Sequence, residues 1–219
     1  MANIGVAMMD VDEKKPCQAA SPKPKNYVTP PTNPEELLTT WTAQNSTDKK
    51  LLEFITRWPP SRTPESYGPW ISVYRGGITP APAPNIEGLQ AAFQKLVEAE
   101  AVTEEAIDQI SKENGVVTGK WLVFEEESKI DMLWGKVVYQ VLVQMGKGSA
   151  KVSTQKDGER HVICVYAQDY TNKEEVKALR KMLRSVGVKW KIGFKTDAYT
   201  HLNIYKNNSW NIRPSRFHE

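Results

Sequence analysis

The chain has 219 residues, a formal net charge of +3, 40% hydrophobic residues, 7 tryptophans and 2 cysteines. This length suits one domain with extensions, and the apolar content is enough for a sizeable core. Two cysteines, Cys17 and Cys164, exclude a disulfide framework and suit a reducing compartment, and no apolar run is long enough to span a bilayer. The start lacks the pattern of a leader, so the protein is expected to be cytoplasmic or nuclear, with no membrane partner and as a monomer. From Lys147 onward there are 15 lysines and arginines against 7 acidic residues, and before it 14 against 19. A basic last third favours a phosphate-bearing or acidic partner.

Residues 1–33, which include PCQAASPKPKNYVTPPTNP, are too rich in Pro, Ser, Lys and Thr to bury a core and are expected to be a disordered tail, with one domain over 34–219. Asn33 and Pro34 read as N-cap and first residue of a helix carrying Leu37, Leu38 and Trp41. Thr47 caps a second helix from about Asp48, with Leu51, Leu52, Ile55 and Trp58 on its apolar face, ended by Pro59 and Pro60. Trp70 to Tyr74 is a strand closed by Gly76 and Gly77. Helices follow from about Ile86, with Leu89, Phe93, Leu96 and Val97 inward, and from Glu104 to Glu113, where Gly115 suits the exit.

Lys120 to Phe124 is a short β-prone run, after which Glu125 to Glu127 form a solvated turn. Ser128 is the expected N-cap of the next helix, with Asp131 as its capping-box acid. Ile130, Leu133, Trp134, Val137, Val138, Val141 and Leu142 recur at helical spacing, which makes them core. AKVST and RHVICVYA flank Asp157-Gly158 as a hairpin. Thr171 and Glu174 form a capping box for a helix burying Val176, Leu179, Met182, Leu183 and Val186. KWKIGFK alternates, sending Trp190, Ile192 and Phe194 inward and Lys189, Lys191 and Lys195 to the other face. HLNIYK and SWNIRPSRF read as strands around Asn207-Asn208. Trp70, Trp121 and Trp190 are assigned to packing.

Catalytic chemistry finds little support. His161, His201 and His218 are far apart in sequence with no metal-ligand spacing, and Cys164 and His161 point to opposite faces of one strand. Arg75-Gly76-Gly77 is not a phosphate loop. Asp169, Asp197, Tyr199, His201, Tyr205 and Arg213 gather near strand ends, but only as a list. No cofactor and no metal are expected, and a binding module is favoured over an enzyme.

The blocks VVTGKWLVF, AKVST with RHVICVYAQDYT, DAYTHLNIY and SWNIRPS together resemble the basophilic leukemia-expressed protein family, over roughly residues 35–217. That resemblance implies an α+β fold like the mRNA cap-binding translation initiation factor: a curved antiparallel sheet with helices on the convex face and an open concave face. Cap binding in that factor needs two loop tryptophans around the methylated guanine. RGGITPAPAPNIEG and AVTEEAIDQISKENGVVT contain none, and Tyr166 stands where the factor has a further tryptophan. Lys151, Lys156 and Arg160 fall where the factor places basic phosphate contacts, and Lys189, Lys191 and Lys195 add charge. The resemblance does not carry cap binding with it; the charge excess of the last third and the one-sided lysine stripe lead to the expectation of an RNA- or nucleotide-binding concave face without a cap sandwich. Tyr166, Tyr199 and Trp210 are its candidate stacking surfaces and Arg213 a candidate pocket residue. The other expectation is an adaptor binding a protein partner on its helical surface around Leu37, Leu38 and Trp41.

Overall fold

The computed structural model describes residues 39–43, 47–76, 83–155 and 158–219. In chain order these give β1 (Thr40–Thr42), α1 (Asp48–Arg57), β2 (Trp70–Tyr74), α2 (Ile86–Glu98), α3 (Glu104–Glu113), β3 (Gly119–Glu125), α4 (Glu127–Val138), β4 (Ser149–Ser153), β5 (His161–Ala167), α5 (Lys173–Ser185), β6 (Gly193–Thr196), α6 (Asp197–His201) and β7 (Phe217–His218). The strands form one sheet in the order β1-β2-β4-β5-β3-β6-β7, curled but not closed. The fold is α+β, as expected. All pairs are antiparallel except β1 with β2, so the sheet is mixed rather than wholly antiparallel.

Alternation along the strands supplies the core. Ile71 and Val73, Val152, Ile163 and Val165, Trp121 and Val123, and Phe194 face the helices, where they meet Leu51 of α1, the whole apolar stripe of α4 and Val176, Leu179, Met182 and Leu183 of α5. The stripe from Ile130 to Leu142 is buried throughout, and Tyr139–Gln144 continue α4 as a wider π-type turn that keeps Val141 and Leu142 inside. A second cluster joins Leu89 and Phe93 of α2, Ile107 and Ile110 of α3, and Ala198, Tyr199 and Leu202 around α6. Arg216 anchors the C-terminal segment to α3, donating to Asp108 at 3.0 and 3.1 Å and to Glu104 at 3.0 Å, while Tyr170 donates to the other Asp108 oxygen at 2.8 Å.

Several local expectations need correction. Trp41 lies in β1, buried against β2, not on a helix; Leu37 and Leu38 lie outside the described residues. α4 starts before Ser128, and its N-cap is Glu126, whose side chain makes no cap bond. Asp131 instead reaches across to accept from the backbone N–H of Ser61 at 2.9 Å and its hydroxyl at 2.6 Å. α5 is capped by Asn172 rather than Thr171, whose hydroxyl donates to Asp169 at 2.6 Å. β6 is shorter than KWKIGFK, and the C-terminal stretch is mostly turns. There the Asn208 side chain donates to Tyr205 and Ile212 carbonyls at 2.7 and 2.6 Å and accepts from the Ile212 N–H at 3.0 Å, taking the place of a strand ladder.

Removing the Asp131 carboxylate strands two Ser61 donors, so Asp131→Ala is expected to lower unfolding free energy by about 1–3 kcal/mol. Ser128→Ala is expected to change it by under about 0.5 kcal/mol, since Ser128 caps nothing. Urea denaturation of both variants checks this, and equal losses would restore Ser128 as the cap.

Candidate functional site

The residues of β2 to β6 that alternate with the core positions make the other sheet face. Register places Ser72, Lys151, Cys164, Leu122 and Gly193 side by side across five strands. Toward one end come Trp70, paired with Ser153, and Phe124, paired with Val162; toward the other comes Tyr166, paired with Lys120, itself paired with Lys195. Polar and aromatic residues at these positions follow from the period of two: had they been aliphatic, the sheet would have had two buried faces.

Cations and rings interleave along this face. The Lys151 ammonium sits 4.0 Å from the Trp70 ring centre and 5.8 Å from that of Tyr166; Lys120 lies 5.6 Å from Tyr166, and the Arg160 guanidinium 5.7 Å from Phe124. Lys195 lies 3.6 Å from the Tyr205 ring and donates to the Ile204 carbonyl at 3.0 Å. Lys120 pairs with Asp197, which also accepts from the Thr118 hydroxyl at 2.5 Å, so its charge is largely spent inside the fold.

Burial is the first cause of every titration shift here. It lowers Lys151, and it brings Lys195 down to about 8, helped by the nearby Lys120 charge. It pushes the Cys164 thiol up to about 11 although Lys151 and Lys120 favour the thiolate, so Cys164 is a packed hydrophobe rather than a nucleophile. The Tyr166 hydroxyl is likewise raised, and stays a neutral donor and acceptor at any physiological pH.

Of the residues singled out from sequence, Lys151, Arg160 and Tyr166 come together on this face, and Lys156 lies outside the described residues. The lysine stripe does not form. Lys195 is only 7% exposed and turned under Tyr205, while Lys189 and Lys191 precede β6 as exposed loop residues. Tyr199 is fully buried in the second cluster and so offers no stacking surface; Trp210 is half-buried and packs edge-to-face on Phe93 with centres 4.9 Å apart, and Arg213 is exposed. Asp169 and Asp197 are engaged in turn and ion-pair bonds.

Two tryptophans assigned to packing are elsewhere. Trp70 lies on the open face under Lys151, and its place opposite Ile71 and Val73 in the alternation was the available signal. Trp190 is 41% exposed, because buried Arg180 holds the Val188 and Trp190 carbonyls, each at 2.8 Å, and bends the chain out before β6 begins. Phe124, 46% exposed, was missed because its neighbours on adjacent strands are distant in sequence; Tyr205, expected only in the group near strand ends, is 53% exposed and lies over Lys195. Among the described residues no group of three or more His, Cys, Asp or Glu is placed to hold a metal ion, and no helix is long and apolar enough to cross a membrane.

Among solved structures the chain is similar to schistosome eIF4E complexed with m7GpppA and 4E-BP, at a TM-score of 0.37 and 12% identity, over 48% of this chain and 60% of that one. Residues 82–203 match the family described as basophilic leukemia-expressed protein Bles03, a span running from the approach to α2 through α6 and including Lys120, Lys151, Arg160, Tyr166 and Lys195. Because that match takes in more than half of the sequence, the chain belongs to the basophilic leukemia-expressed protein Bles03 family.

Proposed function

We propose that the protein binds a single strand of RNA, or a ligand built from nucleotides, on the open sheet face, without sandwiching a methylated guanine. The observation that carries this reading is the ladder of cations resting on rings, with Lys151 between Trp70 and Tyr166 and Arg160 beside Phe124. Aromatic rings accept bases of any sequence by stacking, and unpaired cations accept the phosphates between them. Four residues of strand separate the Trp70 and Phe124 end from the Tyr166 end, about 13 Å, which suits two or three stacked bases.

The lysines already cover the rings, so a base must displace them. A cation on an exposed ring is worth about 0.5–1 kcal/mol, whereas a stacked base is worth about 1–3 kcal/mol and brings its phosphate to the displaced ammonium. The exchange therefore favours binding. A protein adaptor has less support, since Trp41, central to its expected apolar patch, is only 4% exposed.

Tryptophan fluorescence titrated with capped and uncapped RNA is expected to give equal affinities and a linear fall of log affinity with log salt. Arg160→Ala or Lys151→Ala should each reduce that slope by about 0.7, and Tyr166→Ala should weaken binding by about 1–3 kcal/mol. Affinity indifferent to salt and to Arg160→Ala would sink the reading.

Affinity should also fall as pH rises through about 8, where Lys195 loses its charge, well before an ordinary lysine at 10.5. Stability moves the other way: above about 8 the unfolded chain holds the Lys195 proton that the native state has released, so folding gains with pH until Cys164, whose thiol is raised from 9.0, begins to oppose it. RNA affinity measured beside the thermal midpoint from pH 7 to 9 checks both signs, and Lys195→Met should flatten the binding profile. A wild-type profile as flat as the variant's would remove Lys195 from the face's electrostatics.

A further inference from the structure

The period of two in KWKIGFK sends Trp190 inward with Ile192 and Phe194, yet the indole stays 41% exposed between the exposed side chains of Lys189 and Lys191. Contacts on both sides hold it there. Before it, Arg180, itself only 1% exposed, donates to the Val188 and Trp190 carbonyls at 2.8 Å each. After it, Ile192 exchanges backbone hydrogen bonds with Glu219 at 2.8 and 3.0 Å, and the Glu219 carboxylate takes Arg184 at 2.7 Å. Burying a guanidinium carries a desolvation cost, so Trp190 is presented by a pinned loop rather than left over by chance.

The cations near this loop are unequally engaged. α5 turns Val176, Leu179, Met182 and Leu183 into the core and leaves Lys177, Lys181 and Arg184 exposed on its outer side, at the i, i+4 and i+7 spacing of one helix face. Lys177 pairs with Glu174 at 3.2 Å and Arg184 with Glu219, whereas the ammonium groups of Lys181, Lys189 and Lys191 have no partner among the described residues. α5 packs on the helix side of the sheet, so its outer side faces away from the ladder of rings. The open face therefore does not account for these charges.

We propose that Trp190 with Lys181, Lys189 and Lys191 forms a peripheral contact with an anionic phospholipid bilayer. An indole, apolar over its rings and polar at its N–H, settles at the level of the headgroups, and lysines beside it keep their ammonium groups at lipid phosphates while their stems lie along the apolar boundary. Other anionic partners fit less well. Single-stranded RNA is held by successive rings, and Trp190 stacks with no other ring among the described residues. Protein interfaces are enriched in arginine and depleted of lysine, whereas each unpaired cation here is a lysine, a hydrated point charge that suits the diffuse field of a charged leaflet. A bilayer needs no groove, only an outward ring on a firm support with charge around it. Such a contact involves no spanning helix, and the expectation of no membrane partner rested on the lack of one.

The test sediments the full chain with vesicles of phosphatidylcholine alone and of phosphatidylcholine mixed with phosphatidylserine, at low and moderate salt, and follows tryptophan emission alongside. Binding to the mixed vesicles only, weakened by salt and accompanied by a blue shift, is the expected result. Trp190→Ala should weaken it about tenfold and remove the blue shift. Lys181→Ala, Lys189→Ala and Lys191→Ala should each weaken it about fivefold. All four side chains are exposed, so the variants keep the core intact. A uridine hexanucleotide added to the mixture should leave vesicle binding unchanged. Absence of binding to the mixed vesicles, equal binding to neutral ones, or indifference to Trp190→Ala would overturn the proposal. Displacement of the vesicles by the hexanucleotide, or a hexanucleotide affinity that falls with Trp190→Ala, would overturn it in favour of RNA on this surface.

Discussion

The antiparallel register of β4, β5 and β3 is the constraint on which the rest depends. With Val152 opposite Ile163 and Val123 opposite Ile163, Lys151, Cys164 and Leu122 are fixed to the reverse side. A slip of one residue would send Lys151, Tyr166 and Lys120 into the layer filled by Trp134 and Val137 and expose Ile163 and Val165 to water. Burying an unpaired ammonium costs several kcal/mol, and the slipped register offers no packing that would offset it. The same alternation that makes the core therefore also makes the open face, and neither can be altered without the other.

Most of that alternation was legible along the chain, because it is a local signal. The runs around Val123, Ile163 and Phe194, and the stripe from Ile130 to Leu142, state their burial through spacing alone. What failed depended on partners far away in sequence. Ser128 has the chemistry of an N-cap, but α4 starts two residues earlier, at Glu127, and Asp131 is drawn off by Ser61, seventy residues before it. KWKIGFK alternates well enough for a strand, yet Arg180 on the preceding helix captures two carbonyls of that stretch and holds Trp190 outside. Lys195 has the parity of an exposed residue, and Tyr205 with the Ile204 carbonyl covers it. Periodicity tells which face a residue takes; it does not tell what closes over that face.

The covering of rings by lysines has its own physical logic. Trp70, Phe124, Tyr166 and Tyr205 on one open face would form an apolar patch inviting self-association; the Lys151 stem and ammonium cover part of it over Trp70, while Phe124 and Tyr205 stay 46% and 53% exposed. These contacts are weak enough to exchange. A ligand that brings both a flat base and a phosphate recovers what the lysine gives up, whereas a purely apolar partner would leave the displaced ammonium without compensation. Charge and ring together thus select against the partner that an uncovered aromatic face would attract.

Rigidity at one end of the face comes from outside the sheet. Lys120 reaches from β3 to Asp197 and, at 3.4 Å, to the Thr200 hydroxyl, fastening α6 to the strand. α6 belongs to the second cluster with α2 and α3, which Arg216 in turn ties to the C-terminal segment through Glu104 and Asp108. Lys195 lies within β6 and Tyr205 comes four residues after the end of α6, so the Tyr166 end of the face is built on two cores at once. Rings held in place before a ligand arrives lose little freedom when it binds, which raises the yield of each stacking interaction. At the opposite end Arg160 is exposed, with its guanidinium 5.7 Å from the Phe124 ring centre. A fixed floor of rings with an exposed cation at its edge is the arrangement that the proposed strand binding calls for, and it draws only Lys151, Arg160 and Lys195 from the basic last third, whose Arg180 and Arg216 are engaged elsewhere in the fold.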